Sequence, residues 1–244
     1  MQRIGGHAVV LGAGMGGLLA ARVLADAYRR VTVVERDPLP ATAGQRRGVP
    51  HGRHAHLLVP GGTQVLGELF PGLLDELVAA GAPAIGDLAE VRFAPGGHLL
   101  RLQGRPAGPT PYPASRPFLE AHLRARVRAL PTVEVADCCE ATGLATTAAR
   151  DRVTGVRLLR HAADVAQAEE VLDADLVLDA TGRGGRTPAW LAAIGYDPPP
   201  QEQLEVNLKY ATRHLRRRPG DLGGAKIVGV GAEPGRPTGM AMFA

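Results

Sequence analysis

Four glycines lie together in the segment HAVVLGAGMGGLLAA, residues 7–21, where they interrupt an apolar run. Residues 9–11 indicate a short buried strand, and residues 18–27, rich in alanine and leucine, indicate a helix. The glycines therefore occupy the junction between a strand and a helix. This restricts the chain to folds that need a tight turn at that point.

Three of these glycines, Gly12, Gly14 and Gly17, match the spacing G-x-G-x-x-G. In that pattern the first glycine permits the turn, the second lets backbone approach a pyrophosphate, and the third lets the helix pack against the strand. The backbone N–H groups and the positive end of the helix dipole then face the anion.

The residues that follow supply the context, because glycine-rich turns also arise by chance in a chain with 32 glycines. The segment RRVTVVERD, residues 29–37, contains a second buried strand that ends at Glu35. An acidic residue there accepts hydrogen bonds from a ribose diol, so the order predicts a βαβ dinucleotide-binding unit. Glu35 also disfavours NADP, although the neighbouring Arg36 weakens that argument. NAD and FAD both remain compatible with the motif.

Three segments together resemble the FAD-dependent monooxygenases of the aromatic-hydroxylase type, a branch of the glutathione-reductase-like flavoproteins. They are VVLGAGMGGLLAARVLADAYRRVTVVERD at 9–37, ASRPFLEAHLRARVRAL at 114–130 and ADLVLDATGRGGRTPAWL at 174–191. The resemblance implies an α/β fold: a Rossmann-like FAD-binding domain of the glutathione-reductase type with an interleaved partial α+β substrate lobe.

The second segment also predicts a helix on physical grounds. Ser115 is suited to cap it, Pro117 suits its first turn, and apolar residues recur behind them at helical spacing. Glu120 and Arg124 form an i,i+4 pair that we expect on the outside of the helix. By resemblance, Arg116 reaches the pyrophosphate or ribityl region of a flavin.

In the third segment, residues 176–178 indicate a buried strand, and Thr181-Gly182 turns sharply out of it. Open α/β sheets bind ligands at such a place. The family carries its second flavin-contacting motif here, often as Asp-Gly, so this chain keeps the glycine turn and lacks the carboxylate. We expect Asp179 to form local hydrogen bonds.

The loop RRGVPHGRHAHLLVPGG, residues 46–62, also resembles a family loop that runs toward the flavin. The resemblance implies that Arg47 and Arg53 meet phosphate and that His54 or His56 lines the approach to the isoalloxazine. The histidine spacing does not predict a metal site, because no Asp, Glu or Cys joins the cluster.

The resemblance further implies that backbone near Ala141 lies by the adenine. No catalytic side chain is predicted, because the cofactor carries the chemistry. The predicted cofactor-binding residues are Gly12, Ala13, Gly14, Met15, Gly16, Gly17, Glu35, Arg36, Arg47, His54, Arg116, Ala141, Thr181 and Gly182.

The domain organisation follows from the same resemblance. We expect a discontinuous FAD-binding domain at 1–70 and 112–200 and a partial substrate lobe at 71–111 and 201–244. A third flavin motif, Gly-Asp followed by a loop and a helix, is missing, so the chain is expected to be truncated.

Within the lobe, residues 71–82 predict a helix and residues 91–102 predict a hairpin across Pro-Gly-Gly. The segments VNLKYATRHL, residues 206–215, and AKIVGVGAEP, residues 225–234, predict strands of the lobe's sheet.

Composition narrows the function classes. The 244 residues are 45% hydrophobic and 21% charged, as in ordinary globular proteins, and no apolar run reaches the ~18 residues of a membrane span. The formal charge of +4 is mostly arginine spread along the chain, so no nucleic-acid partner is expected. The adjacent Cys138 and Cys139 do not suit a disulfide, which favours a reducing compartment and a cytoplasmic location.

The resemblance implies an NAD(P)H-dependent flavin monooxygenase that hydroxylates or epoxidises a small organic substrate through a C4a-hydroperoxyflavin. NAD(P)H is expected to bind only transiently, since the chain has no second G-x-G-x-x-G. The alternatives are an FAD-dependent polyprenyl reductase or halogenase, and a catalytically inactive nucleotide-binding fragment. An NAD-dependent dehydrogenase would leave Arg116 and the Thr181-Gly182 turn without a role.

Overall fold

The computed structural model describes residues 3–161 and 169–244. The α-helices in this part are α1 Met15–Ala27, α2 Pro60–Leu69, α3 Leu73–Ala79, α4 Arg116–Arg128 and α5 Thr187–Ala193. The strands are β1 Gly5–Leu11, β2 Tyr28–Val34, β3 Leu57–Leu58, β4 Val91–Ala94, β5 Tyr112–Pro113, β6 Val133–Ala136, β7 Cys139–Thr146, β8 Val153–Arg160, β9 Glu169–Asp173, β10 Leu176–Asp179, β11 Ile227–Val230 and β12 Met240–Phe243.

The chain divides into two compact units. The first consists of Met1–Val49 and Glu120–Asn207, and the second of Pro50–Leu119 and Leu208–Ala244. The sequence analysis assigns residues 50–70 and 112–119 to the predicted FAD-binding domain, whereas in the structure these residues belong to the second unit. The assignment of one part to FAD and the other to substrate stays a prediction.

The first unit is built on a parallel sheet with the strand order β10-β1-β2-β6. The side chains of Ala8, Val9 and Val10 in β1 are fully buried, as expected for a strand covered on both faces. Leu11 at the end of β1 pairs with Asp179 of β10 on one side and with Val34 of β2 on the other. The carboxyl ends of three strands therefore meet at one edge, where the strand order reverses, and such an edge is a ligand-binding place in open α/β sheets.

An antiparallel sheet of β7, β8 and β9 lies against the parallel sheet. Its apolar side chains pack on those of β1 and β2, and Trp190 of α5 covers the same cluster. The buried members of the cluster are Val9, Leu11, Val34, Cys139, Val156, Leu158 and Ala174. This shared core fixes the position of the carboxyl edge of β1 and β2.

The second unit contains α2, α3 and two small sheets, β3-β5 and β12-β11-β4. The ammonium group of Lys226 lies 2.6 Å from the Glu90 carboxylate and donates to the carbonyl of Ala84 at 2.7 Å. These contacts hold the start of β11 next to β4. The predicted helix at 71–82 and the strand in AKIVGVGAEP are confirmed by α3 and β11.

Two predictions for this unit are wrong. Residues 91–102 do not form a two-stranded hairpin: β4 is followed by a short 3₁₀ turn at Pro95–Gly97, and the N–H of Leu100 donates to the carbonyl of Phe93 at 3.0 Å, but residues 98–102 form no second strand. The segment at 206–215 is not a strand: its apolar side chains, among them Leu208 and Tyr210, are exposed. No described strand pairs with this segment, so its alternating pattern produces no β-ladder.

None of the helices in residues 3–161 and 169–244 has the length and apolar character needed to cross a bilayer.

Candidate dinucleotide-binding site

Gly12 makes the turn out of β1. Its φ is +94°, a left-handed conformation that favours glycine, and its N–H donates to the carbonyl of Val34 at 2.7 Å. A Cβ at this position would lie 2.9 Å from the carbonyl oxygen of Ala180. Gly12 therefore lets the turn after β1 pack closely on the segment that follows β10.

The space beside Gly14 is open, whereas the space beside Gly12 is filled by backbone. It precedes α1 with φ −78° and ψ −176°, an extended conformation that any residue adopts. Apart from its own chain neighbours, no atom of the described residues lies within 4 Å of the place where its Cβ would stand. The first N–H groups of α1 have no partner within the helix, so open space beside them suits an anionic group.

Gly17 joins the helix to the turn. A Cβ there would lie 1.8 Å from the carbonyl oxygen of Gly12, which only a residue without a side chain avoids. Met15 and Gly16 complete the first turn of α1 between them. The surroundings of the three motif glycines differ as their spacing predicts: Gly12 makes the turn, Gly17 packs against it, and Gly14 borders open space.

The Thr181-Gly182 turn lies against the glycine turn. The N–H of Ala180 donates to the carbonyl of Leu11 at 2.8 Å, and the Cα of Thr181 would lie 3.3 Å from a Cβ on Gly12. Gly182 has φ +72° and open space where its Cβ would stand. The structure therefore brings the first and third sequence motifs together at the carboxyl edge of the sheet.

Asp179 forms the local hydrogen bonds that the sequence predicts, and these hold the Thr181-Gly182 turn in place. Its carboxylate accepts from the N–H of Thr181 at 2.8 Å and from the hydroxyls of Thr181 and Thr187. Burial alone would raise the pKa of Asp179, but these hydrogen bonds to the charged form outweigh it and lower the pKa below 3.8. The carboxylate remains ionised at neutral pH.

Glu35, at the end of β2, faces the glycine turn. Its Oε2 accepts from the N–H of Ala13 at 2.9 Å, and its Oε1 accepts from the N–H of Asp37 at 3.1 Å. A carboxylate oxygen has two acceptor positions, so Oε1 keeps capacity for a further donor such as a ribose hydroxyl.

A buried arginine that the sequence did not single out lies beside Glu35. Nη2 of Arg46 donates to Glu35 Oε2 at 2.5 Å, and Nη1 donates to the carbonyl of Ala13 at 2.9 Å and to Glu120 Oε2 at 3.2 Å. Arg46 is 6% exposed, whereas the predicted Arg47 next to it is exposed.

The prediction that Glu120 and Arg124 lie on the outside of α4 is wrong. They are 2% and 3% exposed, because Glu120 pairs with Arg46 and Arg124 donates to the carbonyl of Pro40 at 2.7 Å. Burial lowers the pKa of Arg124, and the nearby positive charges of Arg128 and Arg46 lower it further.

The other predicted residues have separate surroundings. Arg36 bonds to Asp37 at 3.2 Å, which raises the pKa of Arg36, and the carbonyl of Ala141 accepts from Arg186 at 2.6 Å. His54 belongs to the second unit, where its Nδ1 lies 2.9 Å from the Thr212 hydroxyl.

Arg116 also belongs to the second unit and begins α4. The helix start is capped as predicted, with the Ser115 hydroxyl accepting from the N–H of Phe118 at 3.3 Å. Among the residues that the structure describes, no group of three or more histidine, cysteine, aspartate or glutamate side chains could hold a metal ion.

The first unit thus gathers Gly12, Ala13, Gly14, Glu35 and the Thr181-Gly182 turn at one sheet edge. Residues of this kind fit a dinucleotide, because the edge offers a helix N-terminus for a pyrophosphate and a carboxylate for a ribose. The open space at Gly14 and Gly182 leaves room for the ligand to approach the backbone.

Comparison with known proteins agrees with this geometry. Residues 10–71 match the family model of the NAD(P)-binding Rossmann-like domain. The chain is 40% identical over 245 residues to Protein Rv3254 of Mycobacterium tuberculosis (strain ATCC 25618 / H37Rv), an alignment that covers 97% of this chain and 50% of the relative. The chain therefore spans about half the length of the curated relative that it matches.

Solved flavoenzymes share the fold. PqsL of Pseudomonas aeruginosa, described as a probable FAD-dependent monooxygenase, is 22% identical with a TM-score of 0.50 over 71% of this chain and 41% of its own. The p-nitrophenol 4-monooxygenase PnpA of Pseudomonas putida DLL-E4 is 22% identical with a TM-score of 0.56 over 78% and 44%. The myxobacterial FAD-dependent halogenase CndH is 21% identical with a TM-score of 0.54 over 75% and 38%.

At this level of identity the likeness concerns the fold. Together with the sequence motifs and their meeting at one sheet edge, it confirms the predicted fold class. The chain has the Rossmann-like α/β fold of the FAD-dependent monooxygenases that its sequence resembles.

Proposed function

We propose that this chain is the FAD-binding part of an FAD-dependent oxidoreductase, an NAD(P)H-dependent monooxygenase that hydroxylates or epoxidises a small organic substrate. One observation carries the proposal. The glycine turn after β1, the Thr181-Gly182 turn after β10 and Glu35 after β2 meet at one sheet edge, beside open space at Gly14.

At this edge the chain's residues bind and orient the cofactor. The N–H groups at the start of α1 receive the pyrophosphate, and the Glu35 carboxylate accepts from the adenosine ribose. By resemblance, Arg47 and Arg116 add positive charge for the phosphates, His54 lines the approach to the flavin ring, and Ala141 lies by the adenine. When bound, FAD supplies the redox chemistry, and the protein supplies position and a site that excludes water.

Two observations favour FAD over NAD as the resident dinucleotide. Solved structures with this fold are named as FAD-dependent enzymes. The Thr181-Gly182 turn, which corresponds to the family's second flavin motif, lies next to the glycine turn. NAD(P)H is then the transient electron donor. PqsL has been solved with 2-aminobenzoylacetate, which supports a small organic molecule as the substrate class.

A halogenase is the second candidate, because CndH shares the fold about as well as the monooxygenases do. The two reactions differ in their products. Turnover with a halide salt would yield a halogenated product in one case and an oxygenated product in the other.

The test is a titration of the purified chain with FAD, followed by absorbance, with NAD as the parallel ligand. We expect a saturable, structured and red-shifted flavin band and no comparable binding of NAD. Oxidation of NADH or NADPH in the presence of FAD and oxygen then distinguishes an enzyme from a nucleotide-binding fragment without turnover. Binding of NAD with no binding of FAD would contradict the proposal.

A further inference from the structure

Arg46 lies between β2 and β3, at the first position of the loop 46–62 that resembles a family loop running toward the flavin. Its guanidinium contacts three parts of the first unit: the glycine turn through the Ala13 carbonyl, the end of β2 through Glu35, and α4 through Glu120. With 6% exposure, the guanidinium is buried and paired with carboxylates inside the protein.

The direction of these contacts decides what Arg46 can do. Both terminal nitrogens donate to protein acceptors, and Nε is buried without a hydrogen-bond partner among residues 3–161 and 169–244. The guanidinium is therefore committed to the protein and does not have its two-pronged end free for a phosphate. This distinguishes Arg46 from the exposed Arg47 beside it.

Arg46 also determines which carboxylate oxygen of Glu35 remains available to a ligand. It bonds to Oε2, the oxygen that also accepts from Ala13, so that within the described part of the chain Oε1 accepts from the N–H of Asp37 alone. Glu120, at 2% exposure, supplies a second carboxylate on the other nitrogen of the guanidinium. Without Arg46, the carboxylates of Glu35 and Glu120 would lose the cation that they share.

We propose that Arg46 is the positioning residue of the nucleotide site, which holds the Glu35 carboxylate so that Oε1 faces the adenosine ribose diol. The inference rests on the proposed function, since it assumes that Glu35 receives a ribose. It adds a residue that acts on the ligand only through Glu35. It also gives Glu120 of α4 the role of counter-ion to the same guanidinium.

The test uses the full chain and three variants: Arg46→Met, Arg46→Lys and, as the matched control, Arg160→Met. Arg160 belongs to the same unit but forms an exposed pair with Glu170, so its removal leaves a solvated carboxylate. The measured quantities are the dissociation constants of FAD, of ADP and of 2′,3′-dideoxy-ADP. Circular dichroism and the melting temperature report whether each variant folds.

We expect Arg46→Met to weaken FAD binding about tenfold or more, as for loss of charge-assisted hydrogen bonds, and to remove the preference for ADP over its dideoxy analogue. Arg46→Lys retains the charge without the planar fork, so its preference should be smaller than in the wild type but present. Arg160→Met should bind all three ligands as the wild type does. The ratio of the two ADP constants separates positioning from general loosening, which would weaken both ligands equally.

Two results would overturn the inference while leaving the proposed function intact. One is wild-type FAD affinity with an unchanged ADP preference in folded Arg46→Met or Arg46→Lys. The other is a wild-type chain that binds FAD and ADP but shows no preference for the diol. Failure of the wild type to bind FAD would instead contradict the proposed function itself, and the inference with it.

Discussion

The carbonyl oxygen of Gly12 occupies the space that a side chain on Gly17 would need, 1.8 Å from the place of its Cβ. The first turn of α1 therefore packs directly on the turn that precedes it. Gly14, between them, has no neighbour within 4 Å of its own Cβ position. The motif glycines thus serve different purposes, and substitution should separate those that the fold needs from the one that the ligand needs.

Gly17→Ala should destabilise the fold by about 3 kcal/mol, because the added methyl group meets backbone that cannot move independently of β1. Gly16→Ala is the matched control in the same helix turn: its Cβ would lie 4.0 Å from the Ala180 side chain, an ordinary contact. That variant should gain roughly 0.5–1 kcal/mol from helix propensity. Urea unfolding measures both, and equal stabilities would contradict the close packing of Gly17 on Gly12.

Gly14→Val should leave the fold unchanged and abolish FAD binding. The extended backbone accepts valine, and the side chain would fill only the open space through which the pyrophosphate approaches. Gly86→Val adds the same bulk at an equally open glycine of the second unit and should bind FAD normally. Wild-type FAD affinity in a folded Gly14→Val chain would place the pyrophosphate elsewhere.

Arg116→Ala should raise the dissociation constant of FAD about tenfold, since a hydrogen bond to a charged group contributes roughly 1.5–3 kcal/mol. The Ser115 cap at the start of α4 remains in this variant, and circular dichroism reports whether it folds. Arg128→Ala removes an exposed arginine from the other end of the same helix and serves as the control. Unchanged flavin affinity in Arg116→Ala would reduce Arg116 to a helix-start residue without a cofactor contact.

The chain should lose stability in mild acid through His7. This imidazole is 8% exposed, with Nδ1 2.6 Å from the Asp173 carbonyl and Nε2 2.9 Å from the Thr32 hydroxyl. Burial lowers the pKa of His7 below 6.5, and the nearby Arg30 adds to the effect. As the pH falls through 6.5, the unfolded chain takes up this proton before the folded chain does, so the free energy of unfolding decreases.

His7→Gln checks this pH dependence, because the amide does not titrate. The free energy of unfolding of the wild type minus that of the variant should be constant above pH 6.5 and should decrease as the pH falls from 6.5 to the lowered pKa of the folded state. Below that pKa it should be constant again, because His7 is then protonated in both states. Urea unfolding across that range measures the difference. A difference independent of pH would show that His7 titrates alike in both states.

The βαβ unit could be predicted because each of its signals is local. The apolar run of β1, the glycine spacing and the helix all lie within consecutive residues, and the structure places them as β1 and α1. The proximity of Gly12 and Thr181 could also be predicted, because the turns that contain them follow buried parallel strands whose carboxyl ends share an edge.

The burial of the charged side chains could not be predicted from local signals in the sequence. Glu120 and Arg124 each follow a core leucine of α4, at positions that helical periodicity places on the edge of the apolar stripe. Their i,i+4 spacing suited an exposed pair equally well, and only the Arg46 guanidinium and the Pro40 carbonyl, contributed from distant parts of the sequence, decide for burial. The partner of β4 was not accessible for the same reason, since β4 pairs with β11 from far along the chain.

The place of β1 between β10 and β2 has a consequence for the order in which the protein matures. The backbone of Gly6 bonds to the Asp175 carboxylate across 169 residues of sequence, and the Thr181-Gly182 wall of the glycine turn follows just after. A ribosome therefore completes the glycine turn early but releases its opposite wall only when β10 has been synthesised. If the proposed function holds, cofactor loading should wait for this late strand to insert beside the first, so that flavin uptake would report the insertion of β10.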